Sequence, residues 1–584
     1  MSGFVGVVSL SGDTTRPYDE AMRLLDDYRA LRGPTGGLHE VGRDTAAAAV
    51  AVDGDVTSDD TGWTVVQGSA YGSRSHPLTL ADLAASDGQF AALSWDPARQ
   101  LFLAATDAFA TAPVYVARRD DLVYVATSAL VLARHLRPPA SLRGLRHFLV
   151  TGSQFGPLTH WEGIRRLEPG TALQVADGAV ADRVHWRPEP DPSLESLGLS
   201  GAVDRLTDAL VGSLRERLGG LTTWVDLTGG FDSRLLALLA DRAGVDLVAN
   251  TRESSIHPDV PMARDIAARK GWPWRELRVP WDWQERLPDL VDDALAAADG
   301  RLEVLQLARV AWGHRELALR VPRLLSAGGG EQLMDRMWIT EQPRPDRRRP
   351  NLTRWADVVG LRALEPGILA AGSYEKTRAG VVELVRPVAQ RYADEPASRQ
   401  LDACYAYKSS GHFGAYRAAD DMELRAQLPF YWKAGFAVSF AIDRRHRTSH
   451  RLMRHMIHRL DPEIARLPTT SGGPAAPITP ATFHRHLPFY LLMARKAVNK
   501  TSQLTVGRTP FPLPKQFGWP ERESNAAVVA RLRRSGVLDP SELRIRPLLC
   551  DDGVRRLETL DLSGRMLGRL VTAELALART GTEL

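Results

Sequence analysis

Short apolar runs separated by turn residues dominate the first 187 residues of the chain. Runs of this length are typical of buried strands. The pattern predicts strands at 4–8, 63–67, 90–95, 101–105, 113–117 and 122–127, with turns at Asp87-Gly88 and Asp120-Asp121. One helix is predicted at 18–31. The chain is therefore expected to begin with a β-rich domain.

Three prolines at alternating positions, Pro188, Pro190 and Pro192, follow this region. Proline donates no backbone hydrogen bond and restricts the residue before it to extended conformations. The segment is therefore predicted to be an extended linker. It divides the chain into two expected domains, 1–187 and 200–584.

Beyond the linker the apolar spacing changes to that of helices. Val203, Leu206, Leu210 and Leu214 share one face of a predicted helix that Ser200 can cap. Strand-like and helix-like segments then alternate at 221–227, 233–243, 245–251 and 261–270. This order predicts a parallel α/β sheet.

From about residue 350 the periodicity is mostly helical. A charged loop at 340–350 and a Gly/Pro-rich loop at 469–480 interrupt or border it. Both loops are expected to be mobile segments near a functional site.

Composition narrows the class of protein. The 584 residues are 44% hydrophobic and 25% charged, enough to bury cores and too apolar for a disordered chain. The net charge of +4 does not indicate nucleic-acid binding, because only seven of the 74 basic residues are lysine and no basic run interleaves with aromatics.

Two cysteines, Cys404 and Cys550, lie far apart and provide neither a disulfide framework nor a cysteine-based zinc site. No signal peptide or membrane span is evident in the sequence. A cytoplasmic protein with no membrane or nucleic-acid partner is expected.

The segment 226–234, DLTGGFDSR, is the most informative part of the sequence. It lies where a predicted strand ends and a helix begins, which is where parallel sheets bind ligands. Gly229 and Gly230 let the backbone approach an anion, while Thr228 and Ser233 supply hydroxyl donors. Asp232 is placed to hold a Mg²⁺ that bridges phosphates. A plain turn with a capping aspartate is the simpler alternative, but the fuller string [ST]-G-G-x-D-S favours a phosphate site.

A second glycine cluster, RLLSAGGGEQLMDR, occupies 323–336. It also follows an apolar strand-like run, and Glu331 can complete a metal site with Asp232. A plain glycine loop is an equally good explanation of this cluster by itself.

Both clusters resemble known motifs. The first resembles the PP-loop of ATP pyrophosphatases, and the second resembles the S-G-x-G-x-D-E segment of asparagine synthetases, with Glu331 in place of Asp and Gln332 in place of Glu. The first domain is similar to class II glutaminase domains. MSGFVGVV resembles their M-C-G-I-x-G start, 87–90 their D-G-x-F segment, and 106–115 their R-D-x-x-G-x-x-P-L-Y segment.

The resemblance implies a fold and a set of ligands. The implied fold is an α+β glutaminase-like (Ntn) β-sandwich domain followed by an α/β PP-loop ATP pyrophosphatase (adenine nucleotide α-hydrolase-like) synthetase domain with added helices. ATP and Mg²⁺ are the implied cofactors, with Asp232 and Glu331 as metal ligands. The implied ATP and pyrophosphate contacts are Leu227, Thr228, Gly229, Gly230, Asp232, Ser233, Asn250, Ser326, Ala327 and Gly329.

One difference from the family bears on the reaction. Its glutaminase nucleophile is a cysteine directly after the first Met, where this chain has Ser2. Two groups of the superfamily take the amine from the substrate itself: β-lactam synthetases and the cyclases of lasso peptide biosynthesis. β-Lactam synthetases use a tyrosine at the position of Gly328, so the resemblance favours the lasso cyclases, whose Gly-Gly-Glu loop is similar to LSAGGGEQ.

Two later segments extend the resemblance. Residues 417–430 resemble an E-x-R-x-P-F segment, which implies a catalytic role for Glu423 if two extra residues precede Pro429. The segment 460–468, LDPEIARLP, is similar to the P-E-x-A-x-L-P motif of the cyclases. The lysine of asparagine synthetases is missing from TTSGGPAAP, so Lys496, Lys500 and nearby arginines remain open candidates for the cation that neutralises pyrophosphate.

The expected activity is ATP-dependent lasso peptide cyclisation. An Asp or Glu side chain of a core peptide is adenylated and joined to the peptide's N-terminal amine, giving a macrolactam, AMP and pyrophosphate. The precursor peptide, a leader-binding protein and a leader peptidase are the expected partners. A β-lactam synthetase-like amide ligase acting on a small amino acid and a non-catalytic nucleotide- or peptide-binding paralogue are the alternatives.

The purified protein is expected to release no ammonia from glutamine. A serine hydroxyl is a far weaker nucleophile than the thiolate at such a site, because its pKa lies far above that of a thiol. Ammonia measured by a coupled glutamate dehydrogenase assay checks this. Glutamine-dependent ammonia that disappears in Ser2→Ala would show that the serine is active after all.

Overall fold

The computed structural model describes residues 2–584 apart from 34–35, 73, 253–256, 278–282, 335–348, 362–366, 422–423, 507–509, 512–520, 537 and 540–541. No helix in the described ranges is long and apolar enough to cross a membrane.

Two antiparallel sheets form the first part of the chain. Each contains six strands within the described residues, in the orders β10-β8-β9-β1-β3-β2 and β12-β11-β7-β6-β5-β4. The strands are β1 Gly3–Ser9, β2 Leu38–Val41, β3 Ala47–Val52, β4 Asp55–Asp59, β5 Gly62–Tyr71, β6 Asp87–Asp96, β7 Leu101–Thr106, β8 Tyr115–Arg119, β9 Leu122–Ala126, β10 Arg165–Arg166, β11 Thr171–Ala176 and β12 Ala179–Val184.

The two sheets pack face to face. Phe4 and Val8 of β1 join a core made with residues of the second sheet, including Trp63 and Phe102. Val5 and Val7 of the same strand face the opposite way, onto helices α1 and α3. Four helices belong to this part: α1 Arg16–Arg32, α2 Leu80–Ala85, α3 Ala129–Leu136 and α4 Leu142–Thr151.

The predicted strands and the first helix are confirmed, and the misses have identifiable causes. Asp87-Gly88 is not a turn, because β6 begins at Asp87 and pairs there with β5. Strand β3 was not predicted: its sequence, AAAVAV, is rich in alanine, which is a poor strand signal. It is a strand because β1 and β2 pair with it on either side.

The linker prolines are followed by helical structure. Residues 185–191 carry no helix or strand, and Pro192 begins the short helix α5 Pro192–Glu195, capped by Asp191. Helix α6 Leu199–Leu218 has Gly198 at its N-cap, so the prediction that Ser200 caps it is wrong. Ser200 lies inside the first turn.

A parallel sheet forms the centre of the second part, as the alternating pattern predicts. Its strand order is β15-β14-β13-β16-β17, and all four neighbouring pairs are parallel. The strands are β13 Thr222–Asp226, β14 Asp246–Thr251, β15 Trp274–Glu276, β16 Arg323–Leu325 and β17 Arg425–Gln427. Successive strands run outward from β13 to β15, and the chain then returns to place β16 on the other side of β13. The carboxyl ends of β13 and β16 therefore border the crevice where such sheets bind ligands.

Helices surround this sheet and extend to the C-terminus. They are α7 Phe231–Arg242, α8 Asp259–Lys270, α9 Trp283–Ala298, α10 Val304–Ala318, α11 Leu352–Trp355, α12 Ser373–Gln390, α13 Ala397–Asp420, α14 Lys433–Ala441, α15 Arg451–Leu460, α16 Pro462–Ala465, α17 Leu487–Val506, α18 Glu521–Arg534, α19 Asp551–Thr559 and α20 Gly564–Thr580.

A buried ion pair joins the two parts. Arg217 of α6 donates to the Asp87 carboxylate at 2.8 Å and lies between the rings of Tyr71 and Trp432, 4.5 and 4.3 Å from their centroids. The same carboxylate accepts the backbone N–H of Lys433, and the Lys433 ammonium donates to the carbonyls of Leu83 and Ala84. Charged and apolar contacts are thus concentrated at one place on the interface.

Arg217→Met is expected to lower the free energy of unfolding by about 3 kcal/mol, because it leaves Asp87 buried beside an apolar side chain. Denaturant unfolding measures the change. Arg143→Met is the matched control: its pair with Glu383 also joins the two parts, but both side chains are more than half exposed, so a loss below about 1 kcal/mol is expected. Equal losses in the two variants would contradict the assignment.

Candidate active site

The loops after β13 and β16 meet at the carboxyl edge of the parallel sheet. Trp224 and Val225 of β13 pair with Leu324 and Leu325 of β16, so the residues that follow each strand emerge side by side. The loops are the two glycine clusters of the sequence. Strand adjacency therefore brings together segments that are about 100 residues apart in the chain.

Internal hydrogen bonds fix the first loop. The Ser233 hydroxyl accepts the Thr228 N–H at 3.1 Å and lies 2.8 Å from the Thr228 hydroxyl. The Thr228 hydroxyl in turn accepts the N–H of Gly230 at 3.2 Å. The two predicted hydroxyl donors are thus paired with the loop itself.

An acidic side chain occupies one backbone donor of this loop. The N–H of Gly229 donates to Oδ1 of Asp259, the first residue of α8, at 2.8 Å. No sequence pattern predicted this contact, because Asp259 follows the neighbouring strand. A phosphate oxygen that binds this N–H must displace the Asp259 carboxylate, so the loop already holds an internal anion.

The Gly/Pro-rich loop packs against the first glycine loop. The N–H of Thr470 donates to the carbonyl of Gly229 at 3.1 Å, and a Cβ on Gly229 would lie 2.8 Å from the Thr470 methyl carbon. The buried Arg234 donates to the carbonyls of Ile464, Leu467 and Pro468. Residues 464–470 are thereby attached to the start of α7. Most of the other loop predicted near a site, 340–348, lies outside the described residues.

The second loop touches Asp232. A Cβ on Gly330 would lie 2.8 Å from both Cβ and Cγ of Asp232, closer than real carbon atoms approach. Gly329 has a φ of +93°, a backbone conformation that favours glycine. Ser326 donates its N–H to Gln427 of β17, and Ala327 packs partly buried against the core beneath. Glycine is therefore required where the two loops are in contact.

The contact between the two loops also brings Asp232 and Glu331 near Tyr405. Asp232 lies in the first turn of α7, where the helix dipole stabilises a carboxylate. The Tyr405 hydroxyl lies 3.4 Å from Oε1 of Glu331. Burial, then the charge of Glu331 and, more weakly, that of Asp232, raise the pKa of Tyr405 well above its ordinary value. The phenol is therefore neutral. It adds no charge to those of the two carboxylates.

A Mg²⁺ fits this donor set. No group of three or more His, Cys, Asp or Glu side chains in the described part of the chain is arranged for a metal ion. Mg²⁺ in nucleotide sites, however, is held by one or two carboxylates together with phosphates and water. Asp232 and Glu331, which both act on Tyr405, are the two carboxylates that would hold it.

Gly328 faces an aromatic ring. A Cβ there would lie 2.8 Å from Cδ1 of Phe413 and 3.1 Å from Cδ2 of Leu428. A glutamate or tyrosine at this position would collide with Phe413. The space into which such a side chain would extend is therefore filled by Phe413 of α13.

Leu227 and Asn250 lie at the ends of neighbouring strands. The N–H of Leu227 donates to the Asn250 carbonyl, and the Leu227 carbonyl accepts the Thr251 hydroxyl. The Asn250 side chain is buried and donates to the Val225 carbonyl at 3.1 Å. An adenine at this edge would meet a backbone whose hydrogen bonds are largely used within the sheet.

Sequence reasoning missed a row of charged groups beside these strands. Arg252, which follows β14, donates to Asp226 at 2.5 Å and also contacts His314. His314 is fully buried, and its Nδ1 lies 3.0 Å from Oδ1 of Asp420. The position of Asp226 and Arg252 at strand ends is the only sequence signal for these charged groups.

Glu423, the predicted catalytic residue, lies outside the described residues. Lys496 lies on α17, and the side chain of Lys500 is not described.

Ser2 lies at a different place, in the first part of the chain. Nε2 of Gln67 donates to the Ser2 carbonyl at 2.8 Å and lies 3.2 Å from the Ser2 hydroxyl. Ser2 lines a cavity between the two parts of the molecule.

Comparison with known proteins identifies part of the chain. Residues 79–186 match the glutamine amidotransferase domain family. They include Asp87-Gly88-Gln89-Phe90 and 106–115, and they exclude Ser2 and both glycine loops. The match shows similarity to a glutamine amidotransferase domain over β6–β12, which belong to the two-sheet part. No curated protein matches the chain.

Two solved structures cover 47% of this chain with low similarity. Glutamine phosphoribosylpyrophosphate amidotransferase from B. subtilis, complexed with ADP and GMP, is 11% identical, has 91% of its own chain covered and gives a TM-score of 0.24. The allosteric regulatory enzyme of purine biosynthesis is 10% identical, has 80% of its chain covered and gives a TM-score of 0.23.

Gly330→Ala is expected to lower the free energy of unfolding by about 1–3 kcal/mol, because the added methyl overlaps Asp232 and forces the loops apart. Denaturant unfolding measures it. The control is Gly380→Ala inside α12, where a Cβ meets no atom within 4 Å and a gain of about 0.5–1 kcal/mol is expected. A gain in both variants would show that the loops are not in contact.

Proposed function

We propose that the chain is an ATP-dependent amide ligase that activates a carboxylate by adenylation. The observation that carries the proposal is the meeting of the two glycine loops at the centre of a parallel sheet, with Asp232 and Glu331 both acting on Tyr405. The loop backbone and the start of α7 suit phosphate groups. This assignment makes the second part of the chain a PP-loop synthetase domain.

Mg²⁺ bound by Asp232 and Glu331 would neutralise charge on the phosphates. The chain's own groups then bind and orient the substrates. Thr228 and Ser233 exchange their mutual hydrogen bonds for phosphate oxygens, and Asp259 leaves the Gly229 N–H. Tyr405 stays protonated and can donate a hydrogen bond, since its pKa is raised.

The proposed reaction has two bond exchanges. A carboxylate oxygen of the substrate attacks the α-phosphorus of ATP, and the bond to pyrophosphate breaks. An amine then attacks the acyl carbon, the bond to AMP breaks, and the amine gives up one proton. Holding both reacting groups in one molecule removes the entropic cost of bringing two molecules together, worth up to roughly 7–11 kcal/mol.

We propose that carboxylate and amine belong to one peptide, so that the product is a macrolactam as in lasso peptide cyclases. Two features support this choice. The chain has Ser2 where glutaminases have cysteine, which favours an amine supplied by the substrate. The position of Gly328 is too crowded for the tyrosine of β-lactam synthetases, because Phe413 fills that space. A precursor peptide, its leader-binding protein and a leader peptidase are the proposed partners, in the cytoplasm.

Asp232→Asn is expected to weaken Mg²⁺-dependent binding of α,β-methylene-ATP at least about tenfold, as loss of one carboxylate from a metal site does. Calorimetric titration with and without Mg²⁺ measures it. The control is Asp265→Asn on α8, an exposed carboxylate paired with Arg269, for which unchanged binding is expected. Mg²⁺-independent binding in the wild type would reject the metal site.

The reaction itself is tested with the short peptide encoded beside the gene. Equal amounts of AMP, pyrophosphate and a peptide that has lost one water are expected, and none with Asp232→Asn. AMP formed from a small amino acid without peptide would favour the β-lactam type. Nucleotide binding without AMP under any condition would indicate a non-catalytic protein.

A further inference from the structure

Helix α17 presents a line of apolar side chains to solvent. Leu487, Leu491, Ala494 and Val498 are exposed, and their spacings of four, three and four residues place them on one face of the helix. The exposed fraction is 70% for Leu491 and 46% for both Leu487 and Val498. Exposed apolar residues that occur singly are common, but a continuous line of them marks a surface that binds something.

Aromatic residues add exposed apolar surface near both ends of this face. Phe483, in the turn before the helix, is 46% exposed, and its ring lies 5.4 Å from that of Tyr490. Phe511 is 52% exposed. Its backbone carbonyl accepts hydrogen bonds from the side chains of Arg495 and Asn499, which fixes it beside the second half of the helix.

The opposite side of α17 is attached to the rest of the molecule. Phe489 is buried, and its ring lies 4.9 Å from the Arg454 guanidinium and 5.2 Å from the His450 ring. A Cβ on Gly472 would lie 2.9 Å from the backbone nitrogen of Phe489, so the Gly/Pro-rich loop packs there too. Phe489 and Leu491 point in nearly opposite directions, because two residues on a helix are rotated by about 200°. The apolar face is therefore a ridge directed away from the body of the protein.

The segment that contains this helix has no acidic side chains. Residues 464–520 include no Asp or Glu, although the chain has 70 of them, and they include seven Arg and Lys residues. Arg466 and Arg485 are exposed. The segment thus combines exposed apolar groups with an excess of positive charge.

Shape and charge together favour a lipid surface over a peptide. An extended or helical peptide is bound in a groove or along a sheet edge, and this face is a convex ridge. A membrane surface takes up apolar side chains at the boundary of its acyl chains, and its anionic headgroups attract every nearby cation. An acidic side chain anywhere along the contact would be repelled, which fits a whole segment without Asp or Glu.

We propose that α17 docks the protein on a membrane surface that contains anionic lipids. Leu487, Leu491 and Val498 enter the boundary between headgroups and acyl chains, and the arginines and lysines of the segment contact the headgroups. A helix that lies in this boundary does not span the bilayer, so the contact needs no transmembrane segment. The proposal uses no residue of the candidate ATP site and does not depend on the ligase assignment.

The test is co-sedimentation of the full-length protein with vesicles of phosphatidylcholine that contain about one-third phosphatidylglycerol, which makes their surface negative. Binding to these vesicles is expected, at least about fivefold tighter than to pure phosphatidylcholine and weaker as salt is added. Leu491→Ser is expected to weaken binding about tenfold, because it removes an inserted apolar side chain. Its Tm is expected to stay unchanged, since Leu491 is 70% exposed.

Leu319→Ser is the matched control. Leu319 is 82% exposed, directly follows α10 and lies outside the segment without acidic residues. Unchanged vesicle binding is expected for this variant. Arg485→Gln tests the charge separately: its binding to the anionic vesicles is expected to fall about fivefold, with no change on pure phosphatidylcholine.

Three results would overturn the proposal. One is a wild type that does not sediment with the anionic vesicles, or that binds pure phosphatidylcholine equally well. Another is vesicle binding that Leu491→Ser leaves unchanged. The third is a dimer in analytical ultracentrifugation that Leu491→Ser abolishes in the absence of any vesicle binding, which would show that the ridge joins two copies of the chain instead.

Discussion

The close approach of Gly330 to Asp232 is the contact on which the candidate site depends. It requires two conditions at once. Strands β13 and β16 must be neighbours, so that their following loops start side by side, and the second loop must lack a side chain where it touches the first. Glycine meets the second condition at a cost in backbone entropy. The surrounding sheet and the buried core beneath α7 stabilise the arrangement against that cost.

The electrostatics of the site follow from this contact. Asp232 and Glu331 both act on Tyr405, and Asp259 adds a third carboxylate at the Gly229 N–H. Asp232 lies in the first turn of α7, where the helix dipole stabilises a carboxylate. The proposed Mg²⁺ and phosphate site would use these same groups.

The two parts of the molecule meet through both polar and apolar groups. At Asp87, a carboxylate accepts from Arg217 and from the N–H of Lys433 across the interface. This contact joins the two parts without a ligand.

The sequence by itself determined the order of elements and the local chemistry of the first loop. Alternating strands and helices predicted the parallel sheet, and the string around Asp232 predicted a strand-to-helix loop with hydroxyl groups, because spacing within a few residues is enough to specify such a turn. The replacement of the expected cysteine by Ser2 is also visible in the sequence alone. Only the tertiary structure placed Asp259 on the Gly229 N–H and Phe413 against Gly328. These contacts join segments that are remote in the chain, and they depend on which strands become neighbours and which helices cover them. Local periodicity carries no information about either choice.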